Sequence, residues 1–346
     1  MGNKNYIGCS LVEHPEIFRG YLNDKYTVSD EILSRLSRDL GFSFDMYNTI
    51  LNIDNNTADK LVVSMSTKNN HKDIYFLVDE DTQDVLGYSL DSTRTPILNE
   101  EFIKRTKSLA ETSNDIEIND TYIISEDTMS SIILKKVDPI IVDLGSSQTS
   151  YDIGVLVVNN ELDSVYCRLV IYIDNQPIYL PASYYNVTTN RYKKSTGTSE
   201  EALEVLLLKV IDDMREDELK YKLQDFHLKY RVNKDILVTY EEYHTLLRAM
   251  MKIPSIIVED YSLIDSVKVR EDDFEHKYAK LEDQKSSYIW RCTALGDLTI
   301  GGLVHLASKV LTDLNAPSME YYNVRELLGN YLSTSRIASE IAREDL

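Results

Sequence analysis

The stretch from Tyr151 to Thr198 constrains the fold more than any other part of the chain. It contains two apolar runs, 151–158 and 164–173, which are rich in Val, Ile, Leu and Tyr and are separated by a polar break at Asn159. β-Branched and aromatic residues bounded by turn formers are typical of β-strands. The stretch therefore predicts the centre of a sheet, with further strands before it and helices after it.

Shorter patterns before this stretch predict helix first and strand next. Ser29 can cap a helix that Gly41 ends, and the apolar residues between them recur at three- and four-residue steps. The runs 61–65, 74–78 and 85–90 are typical of three short strands, which together suggest a meander.

Capping signals mark the helices of the second half of the chain. Thr198–Glu201 and Thr239–Glu242 each place Thr three residues before Glu, so the two side chains can satisfy backbone N–H groups at a helix start. Tyr321 begins a final amphipathic helix. Its apolar stripe consists of Leu327, Leu328, Leu332, Ile337 and Ile341.

These patterns predict an α+β fold with a mostly antiparallel sheet. We expect a helical N-terminal segment at 1–60, an α+β sheet core at 61–198, and a helical region at 199–346 that packs on the core.

Charge limits the partners that the chain can bind. The formal net charge is −20, from 57 acidic and 37 basic residues. Such a charge repels nucleic acid at long range unless the basic residues gather on one face. The 24 tyrosines combine an apolar ring with a polar hydroxyl, which suits interfaces. Together with the apolar stripe of the final helix, they lead us to expect a homo-oligomer.

Cysteine and histidine positions argue against metal and cofactor sites. Cys9, Cys167 and Cys292 are far apart and form no CxxC pair, and the six histidines are scattered. We therefore expect no metal site and no cofactor. Cys167 lies in the middle of a predicted strand, which favours a buried structural thiol over a nucleophile. No residue is predicted to be catalytic.

Hydropathy indicates no membrane segment. No apolar run approaches the roughly 20 residues of a membrane helix, and the first residues lack the apolar core of a signal peptide. We expect a cytoplasmic protein without a membrane partner.

One segment departs from the acidic average and is the candidate nucleic-acid site. It mixes aromatic and basic residues where the chain leaves the predicted sheet, and single strands bind such mixtures because rings stack on bases and cations meet phosphates. An ordinary surface loop is the alternative. The candidate residues are Tyr184, Tyr185, Arg191, Tyr192, Lys193 and Lys194.

Several motifs also resemble a phage- and plasmid-borne protein family of unknown function. The similar features are the run Val78–Ser89, the Asn-Glu-Glu-Phe run that ends Arg94–Phe102 and is similar to the family's Asn-x-Glu-x-Phe pattern, and the basic exit Arg191–Gly197 before a long helix. The resemblance covers about residues 78–208. It departs from the family at the central turn, where Asp174-Asn175-Gln176 replaces Cys-x-Asn-Gly.

The resemblance implies a mobile-element origin and an infected bacterial host, together with a strand-rich core carrying helices. At the level of fold it invites comparison with single-strand annealing proteins of recombination. The first functional hypothesis is a non-enzymatic phage-type protein of viral DNA metabolism that forms oligomers and binds or anneals single strands. The second is a structural or interaction protein, for example an inhibitor of a host factor, with an acidic surface. An enzyme with a dispersed active site is the third.

Overall fold

The computed structural model describes the following residues: 3–90, 97–119, 124–125, 128–143, 148–162, 165–188, 199–215, 218–250, 252–253, 299–314 and 319–334. Within them the chain is α+β with sheets rich in antiparallel pairs, as predicted. The buried apolar residues form two clusters. The first cluster runs from Cys9 to Val85, and the second from Ile97 to Leu332.

A five-stranded sheet and three helices build the first cluster. The sheet order is β1 (Lys4–Ser10), β4 (Asp73–Asp79), β5 (Asp84–Ser89), β3 (Tyr26–Thr27) and β2 (Tyr21–Leu22). Its pairs are antiparallel except β3 with β5. A 3-10 helix at Pro15–Arg19 precedes β2, and the α-helices are α1 (Asp30–Asp39), α2 (Phe44–Leu51) and α3 (Asn55–Lys68).

The predicted boundaries of α1 are confirmed. The Ser29 side chain accepts a hydrogen bond from the backbone N–H of Ile32 at 3.4 Å. Gly41 follows the helix with φ +86°, a left-handed conformation that favours glycine. The segment 1–60 is not wholly helical, however, because β1 pairs along its full length with β4.

The predicted strand at 61–65 is wrong, because these residues lie in α3. Ala58 and Val62 are buried one helical turn apart, so helical spacing prevails over the local strand preference of the Val-Val pair. Asp54 starts the helix by accepting hydrogen bonds from two backbone N–H groups. The expected boundary after residue 60 therefore falls inside a helix.

An antiparallel sheet forms the centre of the second cluster. Its order is β13 (Gln176–Tyr179), β12 (Tyr166–Ile173), β11 (Ile153–Asn160), β8 (Met129–Lys136) and β6 (Ile116–Ile118), while β14 (Val187–Thr188) pairs with β12 and β7 (Ile124–Ser125) with β8. The strands β9 (Ile140–Asp143) and β10 (Gln148–Tyr151) form a separate hairpin. The two apolar runs of the sequence are thus β11 and β12, as predicted.

Helices complete the second cluster. They are α4 (Asn99–Ala110), α5 (Ser199–Arg215), α6 (Glu218–Asn233), α7 (Tyr240–Met250), α8 (Ile300–Leu314) and α9 (Met319–Ser333). The capping box of α7 is confirmed, because the Thr239 backbone N–H donates to Glu242 Oε2 at 3.0 Å and the Glu242 N–H donates to Thr239 Oγ1 at 3.3 Å. Thr198 of the other box lies outside the described residues.

The final helix closes the core of its own chain. Leu328 and Leu332 of α9 are buried in the second cluster, and Leu327 is half-buried against it. The described part of the apolar stripe is therefore used within one molecule rather than offered to a second copy. Ile337 and Ile341 lie outside the described residues. Among the described helices, none combines the length and hydropathy that a bilayer crossing requires.

Glu161 joins the two clusters. Its side chain is buried and accepts hydrogen bonds from Lys4 Nζ of β1 at 3.1 Å and from the Asn99 backbone N–H at 2.7 Å. The second bond satisfies the start of α4, where Leu98 has no capping side chain. Tyr6 adds a hydrogen bond from its hydroxyl to the Glu161 carbonyl at 2.8 Å.

Candidate nucleic-acid interface

Two of the six candidate site residues, Tyr184 and Tyr185, are buried. They follow β13 and retain only 7% and 4% of their exposure. The Tyr184 hydroxyl donates to Asp225 Oδ2 on α6 at 3.0 Å, and the Tyr185 hydroxyl donates to Asp213 Oδ2 on α5 at 2.9 Å. Covered rings cannot stack on bases, so the expectation of a stacking role for these two tyrosines is corrected.

The other four candidates, Arg191, Tyr192, Lys193 and Lys194, lie outside the described residues, and their role stays a prediction. The structure nevertheless places both ends of their loop. Thr188 ends β14, Ser199 begins α5, and these two elements contact each other. The described chain thus stops at β14, shortly after the buried tyrosine pair, and resumes at α5.

Each buried tyrosine is paired with a lysine as well as an aspartate. Lys229 Nζ lies 2.6 Å from Asp225 Oδ2 and 3.2 Å from the Tyr184 hydroxyl. Lys222 Nζ lies 5.5 Å from the centre of the Tyr185 ring, a cation–π distance. The resulting contacts hold the chain before the basic loop against α6.

The pKa shifts of this cluster keep its charges fixed near neutral pH. Burial raises the pKa of Tyr184 to about 12; the hydrogen bond with Lys229 lowers it and that with Asp225 raises it. Burial lowers the pKa of Lys229, but its hydrogen bonds with Asp225 and Tyr184 outweigh burial, so the pKa is raised. Tyr184 is therefore neutral and Lys229 charged at pH 7, and the cluster acts as a fixed anchor rather than a proton-transfer site.

Among the described residues, the exposed aromatic residue of this region is Tyr221 on α6, which the sequence analysis did not single out. Its side chain is 71% exposed and stands between Lys220 and Lys222 in the sequence. The helix has four basic and two acidic residues, against a net charge of −20 for the chain. The sequence analysis missed Tyr221 because α6 carries apolar residues on two sides. Only the packing of the helix shows that Tyr221 faces outward.

Local acidic residues reduce the positive charge of this surface. Asp225 and Asp213 are bound to the tyrosine pair, and Glu201 lies in the first turn of α5. Of the two helices that contact the tyrosine pair, α6 is therefore the more basic. Arg191, Lys193 and Lys194 would add further positive charge.

The two described cysteines are poor nucleophiles. Burial raises the pKa of Cys9 to about 11, and the nearby Glu16 and Asp73 raise it further. Burial also raises the pKa of Cys167, which lies fully covered in β12. Because the thiolate is the reactive form, neither thiol is suited to catalysis at neutral pH. The interpretation of Cys167 as a buried structural thiol is confirmed.

A polar cavity of about 240 Å³ lies between the β12–β13 turn, the end of α6 and the start of α8. His305 Nδ1 and Asp174 Oδ2 are 3.4 Å apart at its rim, and both side chains are more than half exposed. Water screens such a pair, so we assign it no catalytic role. Across the described ranges, no three His, Cys, Asp or Glu side chains are arranged to hold a metal ion.

No protein-family model, curated protein or solved structure matches this chain. The resemblance to the phage- and plasmid-borne family stays a prediction, and function is assigned below from the site alone.

Proposed function

We propose that this chain is a non-enzymatic, phage-type protein of viral DNA metabolism that forms oligomers and binds single-stranded nucleic acid through α6 and the adjoining basic loop. The observation that carries the proposal is Tyr221, an exposed ring between two lysines on the most basic element of the site. The phage origin and the oligomer rest on the sequence expectations alone.

The chemistry of α6 supports contact with a single strand. An exposed ring can stack on any base, which is worth about 1–3 kcal/mol per base. Lys220 and Arg231 lie on the same helix and can supply positive charge to phosphates. Arg191, Lys193 and Lys194 follow the anchored tyrosine pair in the sequence and would add positive charge.

The test is fluorescence anisotropy of a labelled single-stranded oligonucleotide over a salt series. Tyr221→Ala should weaken binding by roughly five- to 150-fold, which corresponds to the loss of one stacked base. Tyr21→Ala, which removes a 59% exposed tyrosine from β2, is the matched control and should bind like the wild type.

The same assay tests the basic residues of the loop. It measures the salt slope, which is the change in the logarithm of the binding constant with the logarithm of the salt concentration. Each phosphate that a cation neutralises contributes about 0.7 to the logarithmic slope for single strands. Replacing Arg191, Lys193 and Lys194 together by Gln should lower the slope by about two. Absence of binding by the wild type at low salt would overturn the proposal.

A second candidate function is docking of a protein partner. It is favoured by Leu228 and Val232, which extend the exposed surface of α6 with aliphatic side chains that a nucleic acid does not require. Loss of a host-protein contact on Leu228→Ser, with oligonucleotide binding unchanged, would favour this candidate.

A further inference from the structure

The cavity of about 240 Å³ between the β12–β13 turn, the end of α6 and the start of α8 has the features of a small binding site. We call it the α6–α8 cavity. Sites for drug-sized ligands occupy roughly 300–1,000 Å³, so this cavity suits one small group rather than a large ligand. It lies at the end of the helix that carries Tyr221, the residue on which the proposed function rests.

We propose that the α6–α8 cavity binds one unstacked base of the single strand and prefers a base that carries an amino group. The inference rests on the proposed function and names the part of the strand that the end of α6 recognises. It adds a base preference to a surface whose other contacts, a stacked ring and cations that meet phosphates, accept any sequence.

Apolar side chains form part of the cavity wall. Ile173 of β12, Val304 of α8 and Leu332 of α9 line it. Tyr230 of α6 adds an aromatic ring, which is stacked on Phe226 with the ring centres 5.6 Å apart and an angle of 12° between the planes. Apolar and aromatic walls with a few polar groups are typical of small-molecule sites. A flat base has the apolar faces that such walls accept.

Two carboxylates approach the Tyr230 hydroxyl at the cavity. Asp174 in the β12–β13 turn and Asp235 just after α6 both line it. Burial raises the pKa of Tyr230, and the nearby Asp174 and Asp235 raise it further. The cavity therefore combines two groups that only accept hydrogen bonds with a hydroxyl that keeps its proton at pH 7.

The charges around the cavity favour a neutral ligand. His305 Nδ1 lies 3.4 Å from Asp174 Oδ2, and Lys234 Nζ lies 3.8 Å from Asp235 Oδ2. With histidine counted as neutral, two negative charges and one positive charge give these four side chains a net charge of −1. This charge disfavours a phosphate in the cavity. A base is neutral, and its amino group offers the N–H donors that carboxylates accept.

The acceptor character of the cavity distinguishes between bases. Adenine carries an amino group at N6, cytosine at N4 and guanine at N2, whereas thymine presents carbonyl oxygens. A carboxylate attracts an amino group and repels a carbonyl oxygen. The side chains of Asp174 and Asp235 are 70% and 75% exposed. Water therefore competes with these bonds, and the preference should be modest.

Basic residues on one side of α6 connect Tyr221 with the cavity. Lys220, Arg231 and Lys234 are eleven and three positions apart, which places them on the same side of the helix. The helical hydrogen bonding extends to Lys234, whose backbone N–H donates to the Tyr230 carbonyl at 2.9 Å. Tyr221 and Tyr230 are nine positions apart, which is about 14 Å along the helix. Roughly four stacked nucleotides span that distance.

Fluorescence anisotropy with oligo(dC) and oligo(dU) of equal length tests the preference, because the two bases differ only at positions 3 and 4 of the ring. The wild type should bind oligo(dC) roughly three- to tenfold more tightly at neutral pH, the gain expected for one added hydrogen bond. Asp174→Asn should make the two affinities equal. Asp174 has φ +51°, a left-handed conformation that Asn tolerates, so the variant should keep the turn.

Asp24→Asn is the matched control. Asp24 is an exposed aspartate with φ +53° in the turn between β2 and β3 of the first cluster. This variant removes the same charge from the same kind of turn and should keep the preference for oligo(dC). Tyr221→Ala should weaken the binding of both oligonucleotides equally and should also keep the preference.

The outcomes separate this inference from the proposed function. Equal affinities of the wild type for the two oligonucleotides, or tighter binding of oligo(dU), would overturn the inference and leave the proposed function intact. A preference for oligo(dC) that survives Asp174→Asn would overturn it as well. If neither oligonucleotide binds, the proposed function fails, and saturation-transfer NMR with free deoxycytidine decides the inference. A signal that Asp174→Asn abolishes would support the inference, whereas a signal that persists in this variant, or no signal from the wild type, would overturn it.

Discussion

Three tyrosines of the second cluster keep their rings in the core and direct their hydroxyls to partners on neighbouring helices. Tyr184 and Tyr185 bond to aspartates, and Tyr151 bonds to Nδ1 of His227 on α6. A buried tyrosine gains apolar burial from its ring but must satisfy its hydroxyl. Part of the tyrosine excess of this chain is thereby explained by packing between the sheet and the helices rather than by exposed interfaces.

His227 makes the stability of this packing dependent on pH. Burial lowers the pKa of His227, and the nearby Arg231 lowers it further, whereas histidine in an unfolded chain titrates near 6.5. As the pH falls from about 7.5 to 5.5, the unfolded state takes up a proton that the folded state resists, so the free energy of unfolding decreases. His227→Gln should flatten this decrease, as measured by urea unfolding across the same pH range. Equal slopes for His227→Gln and the wild type would contradict the assignment.

Among the described elements, α9 and β13 make a very close backbone approach at a glycine. A Cβ placed on Gly329 would lie 2.0 Å from the Tyr179 carbonyl oxygen, a contact that side chains essentially never make. The neighbouring Arg325 is fully buried and donates to the Pro177 carbonyl at 2.6 Å, with its guanidinium 4.8 Å from the centre of the Tyr321 ring. Helix and strand are therefore held by close contact and by a buried cation.

Gly329→Ala should destabilise the protein although alanine is the better helix former. The intrinsic preference would stabilise the helix by about 1 kcal/mol, while separating α9 from β13 to relieve the overlap should cost about 1–3 kcal/mol. The net result should be a lower midpoint in chemical denaturation. Gly8→Ala in β1 meets only the Tyr75 ring at 3.6 Å, so it is the control and should change the midpoint little. A midpoint unchanged or raised by Gly329→Ala would contradict the close approach.

Element prediction from the sequence succeeded where the signal was local. The capping box at Thr239 and the cap at Ser29 were read correctly, because the bonding groups lie within three residues of each other. The apolar runs of β11 and β12 were also identified, since long buried strands need few other cues. The failure at α3 arose because a Val-Val pair has strand preference, whereas burial of one helical face decided the outcome.

The candidate site was less predictable, because burial depends on distant residues. The sequence shows Tyr184 and Tyr185 beside a basic run, but only the fold brings Asp213 and Asp225 to their hydroxyls. The exposure of Tyr221 was hidden for the same reason, since α6 carries apolar residues on two sides and periodicity alone cannot say which side is packed.

For the whole molecule, the carboxylate of Glu161 connects the two hydrophobic clusters. It accepts bonds from β1 in the first cluster and from the start of α4 in the second. Its side chain is 2% exposed and that of its partner Lys4 is 16% exposed. Water screens such a pair little, and loss of one charge leaves the other poorly solvated.

Glu161→Gln should therefore lower the free energy of unfolding by about 1–3 kcal/mol, as measured by urea unfolding at pH 7. Gln can still accept the Asn99 N–H, but its charge is lost and the Lys4 ammonium keeps no carboxylate. Glu31→Gln is the matched control, because its exposed pair with Arg35 lies on the surface of α1 and such pairs contribute little. If both variants lost the same free energy of unfolding, the Glu161 pair would contribute no more to stability than an exposed ion pair. We expect the loss to be confined to Glu161→Gln. If the two clusters of this variant also unfold in separate transitions, with Tyr26 reporting on the first cluster and Tyr151 on the second, the Glu161 carboxylate couples the unfolding of the two clusters.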